Sequence, residues 1–242
     1  MPQPKEKRIQ KIAPAQPPAI GKTKLANGPR PTVTTLRTAP LLAELPEPRL
    51  AVLAKVATWH AYSAGDVIAL QNEPARAVYI VISGYVKVMR GGAYIDRTLE
   101  IGVLDRRTRS REQVMVTLLG PGELAGEVSV LLGHTRSHSI ITLTSCEVIS
   151  LPSADFLATL QIDSTFATGV ARKMAAHLEA SDQHIELLRG SLEGRIHALL
   201  RHCRNIGLDT DKWLTNAEIA RMVGATRVAV SQVMNHSSHP AK

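Results

Sequence analysis

Apolar residues change their spacing several times along this chain. Between residues 39 and 59, the run LLAELPEPRLAVLAKVATW sets Leu50, Leu53, Ala54 and Ala57 at helical spacing, which predicts short helices. The period then shortens. VIAL (67–70), VYIVI (78–82), YVKVM (85–89), VMVTLL (114–119), IITL (140–143) and EVISL (147–151) are brief β-rich runs. Turn signals separate them at Gly65-Asp66, Asn72-Glu73-Pro74, Ser83-Gly84, Gly91-Gly92, Gly120-Pro121-Gly122 and Gly133. Short strands punctuated in this way predict a β-sandwich or barrel. From Ser164 to Gly190 the spacing turns helical again, with Ala171, Met174, Leu178, Ser181, Ile185 and Leu188 alternating three and four apart. That is the seam of a coiled coil, and it predicts a helix that pairs with a second copy of itself. Ser181 is the polar exception on the seam, and its hydroxyl needs a partner there.

The last periodic stretch is LTNAEIARMVGATRVAVSQVM (214–234). Thr215 and Glu218 form a capping box that starts a helix, Ala220 is small, and Gly224 follows four residues on. Thr226 can cap a second helix that turns Val230 and Val233 inward. Two short helices crossing at a small residue and a glycine turn are the pattern of a helix-turn-helix, whose second helix enters the DNA major groove. That second helix offers Thr226, Arg227, Val228, Ser231 and Gln232 to DNA. Arg and Gln suit bidentate contacts with guanine and adenine. A plain helical hairpin is the alternative.

Composition changes this picture in three places. The net charge of +8 points to an anionic partner, nucleic acid before membrane. Yet residues 1–38 carry eight basic side chains and one acid, so the charge is mostly a tail. This Pro- and Lys-rich tail has no apolar period and is expected to be disordered. A charged segment including DRRTRSRE (105–112) reads as an exposed hairpin or loop. Cys146 and Cys203 stand alone without a CxxC, which argues against a zinc or iron–sulfur site and fits a reducing compartment. There is no run of the roughly 18–20 apolar residues that a membrane helix needs. With no secretory h-region either, the expected location is the cytoplasm. His60, His134, His138, His177, His184, His236 and His239 show no metal spacing beside an acid, and no nucleophile motif appears. These histidines read as solvated, and enzyme chemistry is not expected.

The most pointed chemistry lies in GELAGEVSVLLGHTRSH (122–138). It is an apolar, glycine-punctuated run with Glu127 just after Gly126 and Arg136 nine positions later. A buried Glu127–Arg136 ion pair and a ligand are both open explanations.

With these residues in view, the chain from about 40 to 234 resembles the catabolite activator (CRP/FNR) family of bacterial transcription regulators. The stretch 122–138 is similar to the phosphate-binding cassette of cyclic-nucleotide domains, G-E-(x)8-R-[ST/A]. The resemblance implies an α+β fold. It would comprise a disordered basic tail (1–38), a β-roll (39–163), a dimerisation helix (164–190) and a helix-turn-helix domain without an evident wing (191–242). It also implies a cyclic-nucleotide ligand, with cAMP expected and cGMP open. Gly126, Glu127, Val128, Arg136, Ser137 and Ser181 would hold it. Arg136 would meet the phosphate bidentately, helped by Ser137 and by backbone amides after Gly126. Glu127 would accept the ribose 2′-hydroxyl, and Val128, Val130, Leu131 and Leu132 would wall the pocket. Ser181 falls where the dimer helix meets the base, which would give the seam hydroxyl its partner. The implied partners are DNA, a second copy of the chain and RNA polymerase. Ala180 stands where cAMP-responsive relatives often have Thr. Val228 and Gln232 replace an acid and an arginine common in recognition helices, so a different operator is expected. The run NHSSHPAK (235–242) leaves no room for a β-hairpin wing, which predicts weakened DNA binding. A sensor that acts through protein partners is the alternative to a DNA-binding regulator.

Overall fold

The computed structural model of the chain describes residues 29–91, 114–188 and 190–237; at 114, 180–188, 236 and 237 it describes the backbone alone. The expected tail up to residue 28 and the charged segment 105–112 lie outside the described residues.

Order begins earlier than residue 39. A short helix, α1 (Val33–Leu36), is capped by Thr32, whose hydroxyl accepts from the Thr35 amide, and Leu36 is fully buried. Four residues are too few to show a period, so the segment looked structureless in sequence. The helices α2 (Pro40–Ala43) and α3 (Glu47–Val56) follow, each with proline in its first turn, where no amide donor is missed.

Among the described residues, eight strands then form two antiparallel sheets. They are β1 (Thr58–Tyr62), β2 (Val67–Ala69), β3 (Ala77–Ser83), β4 (Val86–Arg90), β5 (Val114–Leu119), β6 (Leu124–Ala125), β7 (Ser139–Thr142) and β8 (Cys146–Pro152). One sheet runs β1-β8-β3-β6 and the other β2-β7-β4-β5. Six of the strands lie where the β-rich runs predicted them. The strand β1 takes up Trp59, which the helical spacing had assigned to the helices before it, and β6 is too short to stand out.

Strand alternation sorts side chains between two cores. On β3, Val78 and Ile80 face the helices, while Tyr79 and Val81 face the other sheet. The inter-sheet core holds Ile68, Val86, Leu119, Ile140 and Val148. The outer core is closed by α5 (Ser153–Ile162) and the long helix α6 (Ser164–Leu188). Asp163 breaks the two helices apart in an extended conformation, and its carboxylate caps α6 by accepting from the Phe166 amide at 2.8 Å. Phe156 and Phe166, the only two phenylalanines, meet edge to face across that break with centroids 5.7 Å apart.

The first half of α6 must cover the sheet β1-β8-β3-β6, and this corrects one seam assignment. Phe166, Val170 and Met174, one row at i, i+4, i+8, turn toward the β-roll. Met174 therefore packs within its own chain. Ala171, Ala175 and Leu178 are exposed on another face of the helix.

Four helices complete the fold: α7 (Leu192–Asn205), α8 (Thr210–Trp213), α9 (Asn216–Val223) and α10 (Arg227–Ser237). The capping box of Thr215 and Glu218 is present, and Gly224 closes α9 in the left-handed region with φ +63°. Thr226 accepts from the Ala229 amide at 3.2 Å, and Val230 is fully buried. This helical unit docks on the outer face of the sheet β2-β7-β4-β5. Met89, Met115, Leu118 and Ile141 share one buried cluster with Ile196, Cys203, Ile219, Val223 and Val230. Lys87 pairs with Glu218 at 3.4 Å, and the Tyr85 hydroxyl donates to the Gly207 carbonyl at 2.5 Å.

Candidate functional site: the glycine-punctuated loop and its helix cover

Gly126 joins β6 to a helix of five residues, α4 (Glu127–Leu131), at φ +85°. A side chain at this position would be doubly excluded. L-residues rarely adopt that angle, and a Cβ there would lie 2.1 Å from Nη1 of Arg136. The glycine lets the arginine close onto the backbone.

Arg136 is held from both ends. Its amide donates to the Glu73 carbonyl at 2.8 Å, and its carbonyl accepts from the Asn72 amide at 2.8 Å. The guanidinium then runs inward, where Nη1 donates to the Gly126 carbonyl at 2.9 Å and Nη2 donates to the Ala77 carbonyl. Its carbon sits 5.2 Å from the centre of the Tyr79 ring. Burial pushes the Tyr79 phenol up, and the neighbouring guanidinium opposes that shift. Arg136 is 3% exposed, yet among the described residues no carboxylate lies within 4.0 Å of it. A buried cation compensated by carbonyl dipoles alone retains a strong demand for an anion.

The alternative of a structural Glu127–Arg136 pair is thereby corrected. Glu127 is 5% exposed and approaches His177 of α6 instead, with Oε1 3.7 Å from Nδ1. Nε2 of the same ring bonds to Oε2 of Glu123 at 2.7 Å, and Lys173 reaches the other Glu123 oxygen at 2.6 Å. For Glu123, burial works to raise the carboxyl, but hydrogen bonds from His177 and Lys173 prevail and hold it at about 2. The hydrogen bond to Glu123 and the nearby Glu127 carboxylate push His177 up to about 9 against the cost of burial.

Two expected site features differ in detail, and a third lies outside the described residues. Ser137 is exposed, its hydroxyl lies 2.8 Å from Nδ1 of His138, and its amide donates to the buried Ser129 hydroxyl at 3.3 Å. Of the four apolar residues expected to wall a pocket, only Val130 turns inward; Val128, Leu131 and Leu132 are 43%, 37% and 61% exposed. A helix of little more than one turn has one inward row, and Glu127 and Val130 occupy it. Ser181 belongs to α6, and its side chain lies outside the described residues.

Sequence reasoning missed Glu123, Lys173 and His177. Among the described residues the expectation of solvated histidines fails at three positions: His177 is half-buried between carboxylates, His138 is half-buried with Nδ1 2.8 Å from the Ser137 hydroxyl, and His60 is buried with Nε2 2.9 Å from the Ser150 hydroxyl. A partial signal existed in Lys173 and His177, which stand four apart on one helix face. Their acidic partner, at a sequence separation of 50 and 54 residues, left no trace in local spacing. Among the described residues no cluster of His, Cys, Asp or Glu can hold a metal ion.

On α10, Thr226, Arg227, Val228 and Gln232 are exposed. Ser231 is half-buried, and its hydroxyl accepts from Nδ2 of Asn216 at 3.0 Å, so it ties the two helices together and is not simply turned outward to DNA.

The chain is similar to known proteins in sequence and fold. The family profile "cyclic nucleotide-binding domain" matches residues 59–163. The cyclic AMP receptor protein of Thermus thermophilus is 31% identical over 179 residues, covering 72% of this chain and 74% of that protein. A CRP-like cAMP-activated global transcriptional regulator of Mycobacterium tuberculosis is 24% identical over 183 residues, covering 72% and 75%. Among solved structures, FixK2 from Bradyrhizobium japonicum superposes with a TM-score of 0.61 at 20% identity, covering 76% of this chain and 85% of that one, a likeness of fold. No described helix is long and apolar enough to cross a membrane. With two sheets, a glycine-punctuated cassette on one of them and a helix-turn-helix beyond a long helix, the chain belongs to the CRP/FNR family of transcription regulators.

Proposed function

We propose that the protein is a regulator that binds DNA as a homodimer in response to a 3′,5′-cyclic purine nucleotide, with cAMP as the effector. The observation that carries this reading is Arg136, a buried guanidinium held by two carbonyls without a carboxylate partner among the described residues. A cyclic phosphate supplies the missing anion in a form the planar fork can grip bidentately. The exposed Ser137 hydroxyl offers a further donor to it, and Glu127 accepts the ribose 2′-hydroxyl. Ser181 on α6 meets the base. The names of the Thermus and Mycobacterium relatives, both referring to cyclic AMP, favour that nucleotide.

Helix α6 links the ligand to the DNA. It lies over the cassette through His177 and exposes Ala171, Ala175 and Leu178 to a second copy. Ligand binding then biases a two-state dimer and so the spacing of two recognition helices, which read half-sites about 34 Å apart. RNA polymerase is the expected partner of the DNA-bound form.

Calorimetric titration with cAMP and with cGMP tests the ligand. One site per subunit is expected, and absence of binding to either overturns the reading. Selection from random DNA by the ligand-saturated protein tests the output. Arg227→Ala is expected to relax discrimination between the selected sequences by about 1–3 kcal/mol if Arg227 reads a base edge. A uniform loss across all sequences assigns it to a phosphate. A ligand-saturated protein with no sequence preference at all would instead be a sensor working through protein partners.

A further inference from the structure

We propose that His177 is a positioning residue for the nucleotide pocket: from α6 it holds the Glu127 carboxylate in the orientation that receives the ribose hydroxyl, and it does so only while both ring nitrogens carry protons. The inference rests on the reading of Glu127 given above. It adds to that reading a residue and a protonation state on which ligand recognition depends.

The geometry is specific. Both nitrogens of the ring face carboxylates, Nε2 toward Glu123 at 2.7 Å and Nδ1 toward Glu127 at 3.7 Å. A neutral imidazole has one donor and cannot serve two acceptors, whereas an imidazolium can. Among the described residues, the charged groups facing the ring include Glu123 from the β5–β6 connection, Glu127 from α4 and Lys173 from one turn earlier on α6. Lys173 is committed to the Glu123 oxygen that the ring does not hold. Arg136 bonds to carbonyls on its own side of Gly126. Orientation of Glu127 therefore falls to His177. With Oε1 turned to the ring, Oε2 is the oxygen left for a ribose hydroxyl.

The linkage has a definite sign. His177 is raised to about 9 in the folded protein, from about 6.5 in an unfolded chain. The double contact is thus fully formed below the unfolded value and is lost as pH rises through about 9. Above that point the single remaining proton stays with Glu123, which has the shorter bond. Glu127 is then left without its donor and beside another carboxylate.

The test uses the full chain and two probes, cAMP and its 2′-deoxy analogue, titrated calorimetrically between pH 7 and 10 into the parent and into His177→Gln. The parent is expected to prefer the ribose form at pH 7 and to lose about tenfold of that preference by pH 10, the scale of one charge-assisted hydrogen bond. His177→Gln is expected to show the reduced preference already at pH 7 and no change with pH. If His177→Gln weakens both ligands equally, or keeps the parent's preference, the inference is overturned while the pocket reading stands. If the parent binds neither probe, the pocket reading itself is overturned and this inference with it. A measurement without ligand is independent of that reading: in NMR titration, Glu127→Gln is expected to lower the His177 midpoint, and an unmoved midpoint overturns the contact.

Discussion

Replacing Arg136 with alanine is expected to weaken cyclic-nucleotide binding roughly 30- to 4,000-fold, the equivalent of about 2–5 kcal/mol for truncating one partner of a desolvated charge pair. The size follows from the absence of a substitute. Lys173 and the His177 imidazolium, the cations that α6 brings to the cassette among the described residues, are engaged by Glu123 at 2.6 and 2.7 Å. The Gly126 and Ala77 carbonyls, which now accept from the guanidinium, would face the phosphate with no donor between them. Arg136→Lys returns the charge without the planar fork and is expected to recover only part of the loss. Each carbonyl left unsatisfied also costs roughly 1–3 kcal/mol of folding stability, so melting curves belong beside the titrations. The decisive measurement is calorimetry at a temperature where the variant is fully folded. Binding as tight as the parent's would remove the phosphate from this site.

Leu178→Asp is expected to turn a dimeric protein into a monomer. Leu178 is 65% exposed in the single chain, and it continues the exposed line of Ala171 and Ala175. Within one chain aspartate at this position is solvated and disturbs nothing buried, so folding is expected to survive. In a two-fold dimer each change counts twice. Burying one leucine contributes roughly 1.5–3 kcal/mol, so losing two raises the dissociation constant about 10²- to 10⁴-fold before any repulsion between the new charges. Light scattering at micromolar concentration reads the result. A parent already monomeric there would sink the proposal, as would a variant that remains dimeric.

Local rules made much of the molecule legible in advance. The strand at 78–82 was visible as an unbroken β-rich run because each side of β3 meets a different core, and both cores are apolar. The capping box at Thr215 and Glu218 and the turn at Gly224 were visible because a helix end is governed by residues three or four positions apart. The charges Glu127 and Arg136 were also visible, but not their partners. Spacing reports that two charges lie near each other along the chain and says nothing of the directions in which the side chains leave it. Here they diverge, the arginine toward carbonyls of β3 and Gly126 and the glutamate toward α6. The same limit hid the contact of Glu123 with Lys173 and His177, which exists only because α6 folds back over the sheet. It also hid the role of Met174: a three–four repeat shows that a helix has an apolar face, but one helix can carry two such faces a fraction of a turn apart.

The apolar cluster that joins the sheet β2-β7-β4-β5 to α7, α9 and α10 bears on what a domain is in this protein. By chain order the boundary falls between α6 and α7; by cooperativity it does not. Met115 and Leu118 of the β-roll are shielded from water partly by side chains of the C-terminal helical unit, and Ile219 and Val223 of that unit by the roll. Each half thus completes the other's interior, and neither can turn independently without wetting it. A substitution that loosens the packing around Val230 of α10 would be felt as a less stable β-roll. Any rearrangement that repositions α10 must slide along this seam or open it. If the proposed two-state switch operates through α10, its set point is written partly in ordinary hydrophobic residues of this cluster, such as Met89 and Ile141.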